Sequence, residues 1–404
     1  MTSPRQRPFF KGLDSDNLSL KISREKMRRR RILYIVDSLG SGGAERQLVE
    51  LVKGIDKKSY EPFIICLRSV SGGYTEELLR LGVQVAYAKK TSRYEIVRPA
   101  RSLVRQIRYL KIDLVHTFLP MPSFLGCVAA WQCKKPCVAS VIRDGKDKTR
   151  AERYCIRLVA RMCDACVANS KAGLRSRFRV LTPKMCVIYN GVDFNRFVDE
   201  NRRSFEKERM RRKFGLTCYG EVVGMVASLL DHKDHDTFLR AARIVVDKRR
   251  DVGFVLVGKG PRRQELEEYA KDLGIEKNVV FLGEQREVER LYCGMDVLVL
   301  LTNASKHLEG ISNAVIEGMA SSVPVVASAG GGTAEIVRDG ITGLVVPPYD
   351  EAATAKAILG YFDGRVNTEE IVRAARLHVE EMFGLERYTA EYEAIYDELL
   401  AEVT

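Results

Sequence analysis

The sequence predicts two α/β domains, each a doubly wound parallel sheet, which face each other across a cleft. Short apolar segments rich in β-branched residues alternate with helical segments, and this alternation is typical of parallel sheets covered on both faces. A highly charged stretch near the middle of the chain interrupts the alternation, which then restarts. A chain of 404 residues is also long enough for two domains of ordinary size.

The chain begins with a basic segment that we interpret as a flexible tail, residues 1–30. Residues 1–31 contain ten Lys or Arg and three Asp or Glu, so +7 of the net charge of +13 lies there. The tail has little apolar periodicity and ends in the run MRRRR. Basic segments suit phosphate-rich partners, either nucleic acid or an anionic membrane surface. Because aromatic residues are not interleaved with the basic ones, we expect no nucleic-acid binding.

The first domain, residues 31–195, is predicted to start with the strand RILYIVDSL. The glycine turn GSGG and the helix AERQLVELVKGI follow this strand. Further strands are predicted at EPFIICL, VQVAYA, DLVHTF, CVASVIR and ACVAN, and the segment KMCVIYNGVD closes the domain.

The second domain, residues 219–385, repeats this organisation after a predicted interdomain linker, residues 196–218. Its strands are predicted at EVVGMVASL, VGFVLVGKG, NVVFLG, DVLVLL, VPVVAS and TGLVV, and helices at HDTFLRAARIVVDKR, RRQELEEYAKDLG and SNAVIEGMAS. A final helix, residues 386–404, is expected to pack back toward the first domain. Doubly wound folds bind ligands at the carboxyl ends of their strands, so the cleft is the expected site.

The sequence contains no segment that we expect to cross or enter a membrane. The longest uninterrupted apolar runs, such as Val297–Leu301, are far too short to span a bilayer, and no apolar segment follows the basic N-terminus. We therefore expect a cytoplasmic protein with reduced cysteines. Cys163 and Cys166 form a CxxC, but a structural metal site usually needs a second such pair, so we interpret both as buried apolar residues.

The most informative segment is HLEGISNAVIEGMASSVPVVAS, which runs from His307 to Ser328. Glu309 precedes a predicted helix that starts at Ser312, and Glu317 lies inside this helix. A helix N-terminus favours a phosphate, and a carboxylate accepts hydrogen bonds from the vicinal hydroxyls of a ribose or a sugar ring. The two glutamates are therefore spaced to hold both ends of a nucleotide-sugar. On this local pattern alone, two solvated glutamates beside an ordinary helix are the alternative.

With its surroundings, this segment resembles the retaining glycosyltransferases of family 4, which have the GT-B fold of two Rossmann-like domains. The resemblance extends from about Ile32 to about Asp350 and rests on the order of several motifs. These are the Glu-seven-Glu signature at Glu309 and Glu317, the glycine loop GSGGAERQL, the histidine in DLVHTF, the segment NGVD, and the succession Gly330, Gly331, Glu335, Gly340 and Gly343.

The resemblance implies a role for each matching position. Glu309 would bind the donor sugar, Glu317 the ribose and Lys233 the diphosphate, while His116 would lie in the cleft near the sugar. Without the resemblance, a hydrogen-bonded core residue is the alternative for His116, and a solvated residue is the alternative for Lys233. The expected catalytic residues are Glu309, Lys233 and His116, and the expected donor-binding residues are Gly42, Gly43, Ser228, Lys233, Glu309, Gly310, Ile311, Ser312, Asn313 and Glu317.

The segment ASLLDHKDHDTF departs from the usual pattern of the family. The family usually has an arginine five residues before the lysine, and Ser228 occupies that position here. Either Lys233 and the helix N-terminus suffice to hold the diphosphate, or another basic residue substitutes. Asp234 and Asp236 resemble the DxD of metal-dependent glycosyltransferases. Because Asp236 starts a predicted helix, we interpret it as an N-cap, and we expect neither a metal nor another cofactor.

The resemblance implies transfer of a sugar, with retained anomeric configuration, from a UDP- or GDP-linked donor to a hydroxyl. The acceptor would be a glycan or a lipid-linked glycan of cell-surface polysaccharide or glycolipid synthesis. In the family's preferred mechanism, the leaving phosphate helps to deprotonate the acceptor, and Glu309 would position the sugar. A sugar-nucleotide epimerase and a non-catalytic scaffold are the alternatives, because fold alone does not exclude them.

Four arginines in the segment RPARSLVRQIRYLKI recur every three or four residues and so share one face of a predicted helix. This arginine stripe consists of Arg98, Arg101, Arg105 and Arg108. An ordinary helix that covers the sheet would show the same pattern. Each basic residue near an anionic leaflet contributes roughly 1 kcal/mol. With Lys89, Lys90 and the tail, the stripe is therefore expected to hold the protein peripherally on the cytoplasmic face of a membrane.

Overall fold

Two parallel sheets form the framework of the computed structural model, one in each half of the chain. The structure describes residues 28–40, 42–69, 73–88, 96–142, 149–285 and 287–402. The predicted tail before residue 28, together with Lys89 and Lys90, lies outside the described residues.

The first sheet has seven strands in the order β3-β2-β1-β4-β5-β6-β7. Its strands are β1 (Arg30–Val36), β2 (Tyr60–Cys66), β3 (Gln84–Tyr87), β4 (Leu114–Phe118), β5 (Cys137–Ile142), β6 (Ala165–Ala168) and β7 (Met185–Val187). The helices between them are α1 (Gly43–Gly54), α2 (Thr75–Arg80), α3 (Val97–Tyr109), α4 (Pro120–Cys133), α5 (Arg150–Met162) and α6 (Lys171–Arg177). A short 3-10 helix, Phe194–Arg196, follows β7.

The second sheet has six strands in the order β10-β9-β8-β11-β12-β13. Its strands are β8 (Glu221–Val226), β9 (Val252–Val257), β10 (Val279–Gly283), β11 (Val297–Leu300), β12 (Val325–Ser328) and β13 (Leu344–Val346). Its helices are α7 (Glu200–Lys213), α8 (His235–Lys248), α9 (Arg263–Asp272), α10 (Val288–Cys293), α11 (Asn313–Ala320), α12 (Thr333–Ile336), α13 (Glu351–Phe362), α14 (Thr368–Phe383) and α15 (Leu385–Ala401). The prediction of two doubly wound parallel sheets is confirmed.

Strand β1 shows why these strands consist of consecutive apolar residues and do not alternate between apolar and polar residues. Successive side chains of a strand point to opposite faces, so β1 contributes to two cores. Leu33 and Ile35 pack with helices α3, α4 and α5. Ile32 and Tyr34 pack on the other face with α1 and α15. Because helices cover both faces, every position of the strand centre must be apolar.

The charged stretch that we predicted as part of a linker forms helix α7 instead. Only Glu206 and Met210 are buried on α7, and this spacing of four residues places them on one face. Arg211 and Lys207 both form ion pairs with Asp296, which lies just before β11. Contacts with the second domain therefore hold this helix, although its sequence lacks an apolar stripe.

Helix α15 returns from the second domain and packs on the first. Tyr388, Tyr392 and Tyr396 lie in the same apolar cluster as the residues of β1. The contact is close at Gly191, where an added Cβ would lie only 2.5 Å from the Tyr388 ring. This approach accounts for the glycine of the NGVD segment.

None of the helices in the described part of the chain combines the length and apolar character that crossing a membrane requires.

Candidate active site

The site lies where the strand order of the second sheet reverses, between β8 and β11. Ligands of open α/β sheets bind at the carboxyl ends of strands at such a point. The loop after β8 carries Lys233, and the loop after β11 carries Glu309. An isolated bridge between Lys233 and Thr302 joins the two loops. The fold therefore brings together two predicted site residues that lie 76 positions apart in the chain.

Lys233 and Glu309 form an ion pair through the lysine Nζ and the glutamate Oε2. The hydroxyl of Thr302 donates to the same carboxylate oxygen at 3.3 Å, and the His307 ring lies 3.9 Å from it. Burial alone would raise the pKa of Glu309, but the Lys233 ammonium together with His307 and His232 outweighs burial and holds the pKa of that carboxyl below its usual range. Glu309 is therefore an anion at neutral pH.

The backbone before α11 is held in place by a run of glycines. The N–H of Gly332 donates to the Glu309 carbonyl at 2.7 Å. Gly331 has a φ of 54°, and an added Cβ there would lie 2.0 Å from the Glu309 carbonyl oxygen. Gly332 also lies close to Gly310, because its added Cβ would be 2.5 Å from the Gly310 carbonyl oxygen. These glycines allow the two backbones to touch, which fixes where Glu309 projects.

Helix α11 begins at Asn313, and Ser312 occupies its N-cap position. The Ser312 side chain makes no capping hydrogen bond, although we expected it to be a good N-cap. Ile311 and Ser312 are buried against the second domain. The first N–H groups of α11 are consequently not occupied by a side-chain cap, and they carry the partial positive charge of the helix N-terminus.

The glycine loop of the first domain lies against this helix N-terminus. The amide nitrogen of Asn313 donates to the Gly43 carbonyl at 3.4 Å, and an added Cβ at Gly43 would lie 3.3 Å from that nitrogen. Gln47 and Asn190 both donate to the Asn313 side-chain oxygen, at 3.2 Å and 2.7 Å. The predicted residues Gly42 and Gly43 are thus brought to the start of α11 by contacts between the two domains.

Glu317 lies one turn further along α11 and is 5% exposed. Its Oε1 lies 3.2 Å from Arg46 of the first domain, and its Oε2 accepts a hydrogen bond of 3.2 Å from the buried Tyr292. Arg46 also pairs with Glu289 at 2.7 Å. Along the chain, Glu309 precedes the N-terminus of α11 and Glu317 lies one turn into the helix, and each glutamate is held by a different partner.

The residue after Ser228, Leu229, is hydrogen-bonded to the loop that follows β9. The N–H of Leu229 donates to the Lys259 carbonyl at 3.0 Å, and the N–H of Arg262 donates to the Leu229 carbonyl at 3.3 Å. Arg262 pairs with Asp236 at 2.8 Å and has a side chain only 12% exposed. Lys259 has a side chain 68% exposed and pairs with Glu284 at 2.5 Å. Two basic residues therefore lie on the loop beside the position where the family usually has arginine.

The prediction that His116 lies in the cleft is wrong in this structure. His116 is fully buried in β4, and its ring nitrogens lie 2.5 Å from the Tyr396 hydroxyl and 2.8 Å from the Ser140 hydroxyl. Burial lowers the pKa of His116 to about 3, so the ring is neutral. Helix α15 covers the end of β4, and this long-range contact makes His116 a hydrogen-bonded core residue.

The N-cap of α8 is Asp234 and not Asp236 as predicted. The Asp234 side chain accepts a hydrogen bond from the Thr237 N–H at 3.2 Å. Asp236 lies in the first turn, where the Arg262 guanidinium lowers the pKa of its carboxyl against the opposing effect of burial. Within the part of the chain that the structure describes, no group of three or more His, Cys, Asp or Glu is arranged to hold a metal.

Sequence reasoning missed the side chains that the second domain shares with the first. Arg46, Gln47 and Tyr292 contact Glu317 or Asn313 and were not among the predicted site residues. Glu335 accepts hydrogen bonds from the backbone N–H groups of Lys171 and Ala172 at 2.9 and 2.8 Å. Arg46 lies in the glycine loop GSGGAERQL and Glu335 in the succession of glycines after α11, but nothing local in either motif indicates a partner in the other domain.

Two family models match the chain. "Glycosyltransferase Family 4" matches residues 41–196, and "Glycosyl transferases group 1" matches residues 220–363. The first match contains the glycine loop and Asn190. The second contains Lys233, Glu309 and Glu317, so the matches cover both sides of the site.

Curated relatives are glycosyltransferases. UDP-Gal:alpha-D-GlcNAc-diphosphoundecaprenol alpha-1,3-galactosyltransferase of Escherichia coli is 24% identical, over 80% of this chain and 88% of its own length. The GalNAc-alpha-(1->4)-GalNAc-alpha-(1->3)-diNAcBac-PP-undecaprenol alpha-1,4-N-acetyl-D-galactosaminyltransferase of Campylobacter jejuni is 28% identical, over 86% of this chain and 92% of its own length.

Solved structures share the architecture of both domains. HepE of Anabaena, determined in complex with UDP and glucose, superposes with a TM-score of 0.81 at 20% identity, over 91% of this chain and 100% of HepE. The lipopolysaccharide-biosynthesis glycosyltransferase WaaG superposes with a TM-score of 0.69 at 15% identity, over 90% of this chain and 99% of WaaG. With the family matches and the two facing Rossmann-like domains, these similarities show that the chain belongs to the glycosyltransferases of GT-B fold.

Proposed function

We propose that the protein transfers a sugar from a nucleotide-diphosphate donor to a hydroxyl of a glycan or lipid-linked glycan, with retention of anomeric configuration. The observation that supports this most is the arrangement around α11. An ion pair of Lys233 and ionised Glu309 precedes an uncapped helix N-terminus, and the Glu317 carboxylate lies one turn into the helix. A nucleotide-sugar has hydroxyls at both ends and a diphosphate between them, which matches this order of groups.

The diphosphate would bind at the N-terminus of α11, where unpaired N–H groups and the helix dipole favour an anion. Lys233 would contribute a full positive charge to the leaving diphosphate. Charge develops on that diphosphate as the glycosidic bond breaks, so these groups stabilise the transition state more than the ground state. Lys259, on the loop beside Ser228, is our candidate for the second cation that Ser228 does not provide.

Glu309 would position the donor sugar by accepting hydrogen bonds from its hydroxyls. Its Oε2 is already occupied by Lys233 and Thr302, which suits a fixed acceptor better than a nucleophile. In the front-face mechanism that we propose, the leaving phosphate takes the acceptor proton, so no second carboxylate is required. Glu317 would hold the ribose, and no metal would take part.

The proposed acceptors are lipid-linked glycans, since the names of two relatives specify diphosphoundecaprenol or PP-undecaprenol substrates. A neighbouring structure contains UDP, so UDP-sugars are the first donors to test and GDP-sugars the second. We propose cell-surface polysaccharide or glycolipid synthesis as the setting.

Peripheral association with the cytoplasmic face of a membrane would bring a lipid-linked acceptor to the first domain. All four residues of the arginine stripe are exposed, while Leu103 and Ile107 on the other face of α3 are buried. No ion pair joins the stripe to another residue in the described ranges, so its charge is available to an anionic partner. By contrast, Arg28, Arg30 and Arg31 of the run MRRRR pair with Asp113, Asp397 and Glu61, so these arginines contribute less.

The test is release of the product nucleotide from a panel of UDP- and GDP-sugars, with and without a polyprenyl-diphosphate glycan acceptor. We expect release that depends on the acceptor, continues in EDTA and gives a linkage with the donor's anomeric configuration by NMR. Glu309→Gln should lose transfer, while Glu287→Gln, at a side chain 74% exposed, serves as the matched control. Conversion of the donor to its epimer without an acceptor would favour the epimerase. Binding of nucleotide without any turnover would favour the scaffold.

A further inference from the structure

A cluster of five ionisable side chains joins the two domains beside α11. Arg46 and Glu50 come from α1, Arg196 follows β7, Glu289 comes from α10 and Glu317 from α11. Arg196 lies 2.6 Å from Glu50 and also pairs with Glu289. The side chains of all five are mostly buried, from 2% exposed for Glu50 to 21% for Arg196. Two arginines and three glutamates are costly to bury, so each must be closely paired.

Arg46 is the member of the cluster that reaches Glu317. Its Nη2 lies 2.7 Å from Glu289 and 3.2 Å from Glu317, and its Nε lies 3.8 Å from Glu50. Burial alone would lower the pKa of Arg46, but Glu317, Tyr74 and Glu50 together outweigh burial and raise it. The guanidinium is therefore permanently charged and is held by carboxylates from three helices.

The contacts of Glu317 leave part of its carboxylate unused. Each carboxylate oxygen has two lone pairs. Arg46 approaches Oε1 and Tyr292 donates to Oε2, so each oxygen has one partner. One lone pair on each oxygen remains, which matches the two vicinal hydroxyls of a ribose. Arg46 and Tyr292 together fix the plane in which those lone pairs point.

We propose that Arg46 is a positioning residue that orients Glu317 for the ribose hydroxyls, so that ribose recognition in the second domain depends on a side chain of the first. This inference rests on the proposed function, because it requires a nucleotide donor. Arg46 would thus take part in ribose recognition without contacting the ribose itself. It also implies that the site for the ribose is complete only when α1 lies against α10 and α11.

The experiment compares binding of a nucleoside diphosphate with binding of its dideoxy analogue, which lacks both ribose hydroxyls. UDP and GDP are each measured by calorimetry beside the corresponding dideoxy form, with the full chain. A hydrogen bond to a charged group contributes enough binding free energy that the wild type should bind the ribose form with a Kd about tenfold lower, or more. In Arg46→Gln this preference should fall by about fivefold or more. Arg46→Lys keeps the charge but not the planar fork, so an intermediate preference is expected.

Arg196→Gln is the matched control, because Arg196 contacts Glu50 and Glu289 of the same cluster but forms no ion pair with Glu317 among the described residues. It should weaken the contact between the domains while retaining the preference for ribose. Equal loss of preference in Arg196→Gln and Arg46→Gln would overturn the inference, since the effect would then belong to the domain contact alone. Unchanged or increased preference in Arg46→Gln would also overturn it. Absence of UDP and GDP binding by the wild type would instead refute the proposed function.

Discussion

Replacement of Lys233 by methionine tests the ion pair at the centre of the proposed site. Methionine retains the length of the side chain but removes the ammonium group that contacts Glu309. The variant should lose stabilisation of the leaving diphosphate, for which removal of one such transition-state contact typically costs ~10²–10³ in kcat. Lys248→Met, at an exposed position at the other end of α8, is the matched control and should retain turnover.

The same change should alter the pH dependence of the residual activity. In the wild type, burial alone would raise the pKa of Glu309, and Lys233 lowers it below the usual value. A contacting opposite charge favours the ionised form of a carboxyl group and so lowers its pKa. Without that charge, only His307 and His232 still oppose burial, so the pKa of Glu309 rises and the carboxyl takes up a proton at higher pH. The acid limb of kcat/KM should therefore move to higher pH.

The assay is nucleotide release measured from pH 5 to 9, with the donor and acceptor found in the screen. Lys233→Arg retains a positive charge and should retain an acid limb close to that of the wild type. An acid limb that does not move in Lys233→Met, together with near-wild-type kcat, would refute the assigned role of the ion pair. Loss of kcat without movement of the limb would leave Lys233 on the diphosphate but separate it from Glu309.

Three further predictions concern the glycine run, the buried histidine and the arginine stripe. Gly331→Ala should lower stability by about 1–3 kcal/mol and impair transfer, because alanine is strained at a φ of 54° and its Cβ would meet the Glu309 carbonyl; thermal unfolding that matches the wild type would contradict this. Tyr396→Phe removes the hydroxyl that contacts His116 and should lower stability by about 1–3 kcal/mol, whereas kcat per folded molecule should stay unchanged. Glutamine at all four positions of the arginine stripe should reduce co-sedimentation with anionic vesicles at low salt, while Arg202, Arg209, Arg212 and Arg250 changed together serve as the equal-charge control; failure of the wild type to sediment would reduce the stripe to a solvated face.

The sequence by itself determined the strands, their parallel arrangement and the helix that carries Glu317. These features depend on short-range patterns, since an apolar run of four to seven residues between helices specifies a strand buried on both faces. The position of Glu309 before α11 could also be predicted, because a few neighbouring residues decide where a helix begins. The resemblance to known motifs added the roles of these residues, which their local pattern left open.

Charged or polar segments were predicted less well where packing decided their conformation. Helix α7 has one apolar contact residue on its buried face, Met210, beside the buried Glu206. Its ion pairs to Asp296 come from a residue more than eighty positions later in the chain. The helix is therefore stabilised by contacts with the second domain and not by an apolar stripe of its own. For this reason its local sequence does not predict it.

Only the tertiary structure decided which polar groups meet. The His116 ring contacts Tyr396, which is 280 positions away, and helix α15 thereby converts a predicted cleft residue into a buried one. Arg46 reaches Glu317 only because α1 of one domain packs against α10 and α11 of the other. Burial and the charge of a partner set the pKa of Glu309 in opposite directions, and both depend on residues distant in sequence. Local patterns fix which residues form an element, whereas the electrostatics of a site arise from contacts between elements, which the folded chain alone defines.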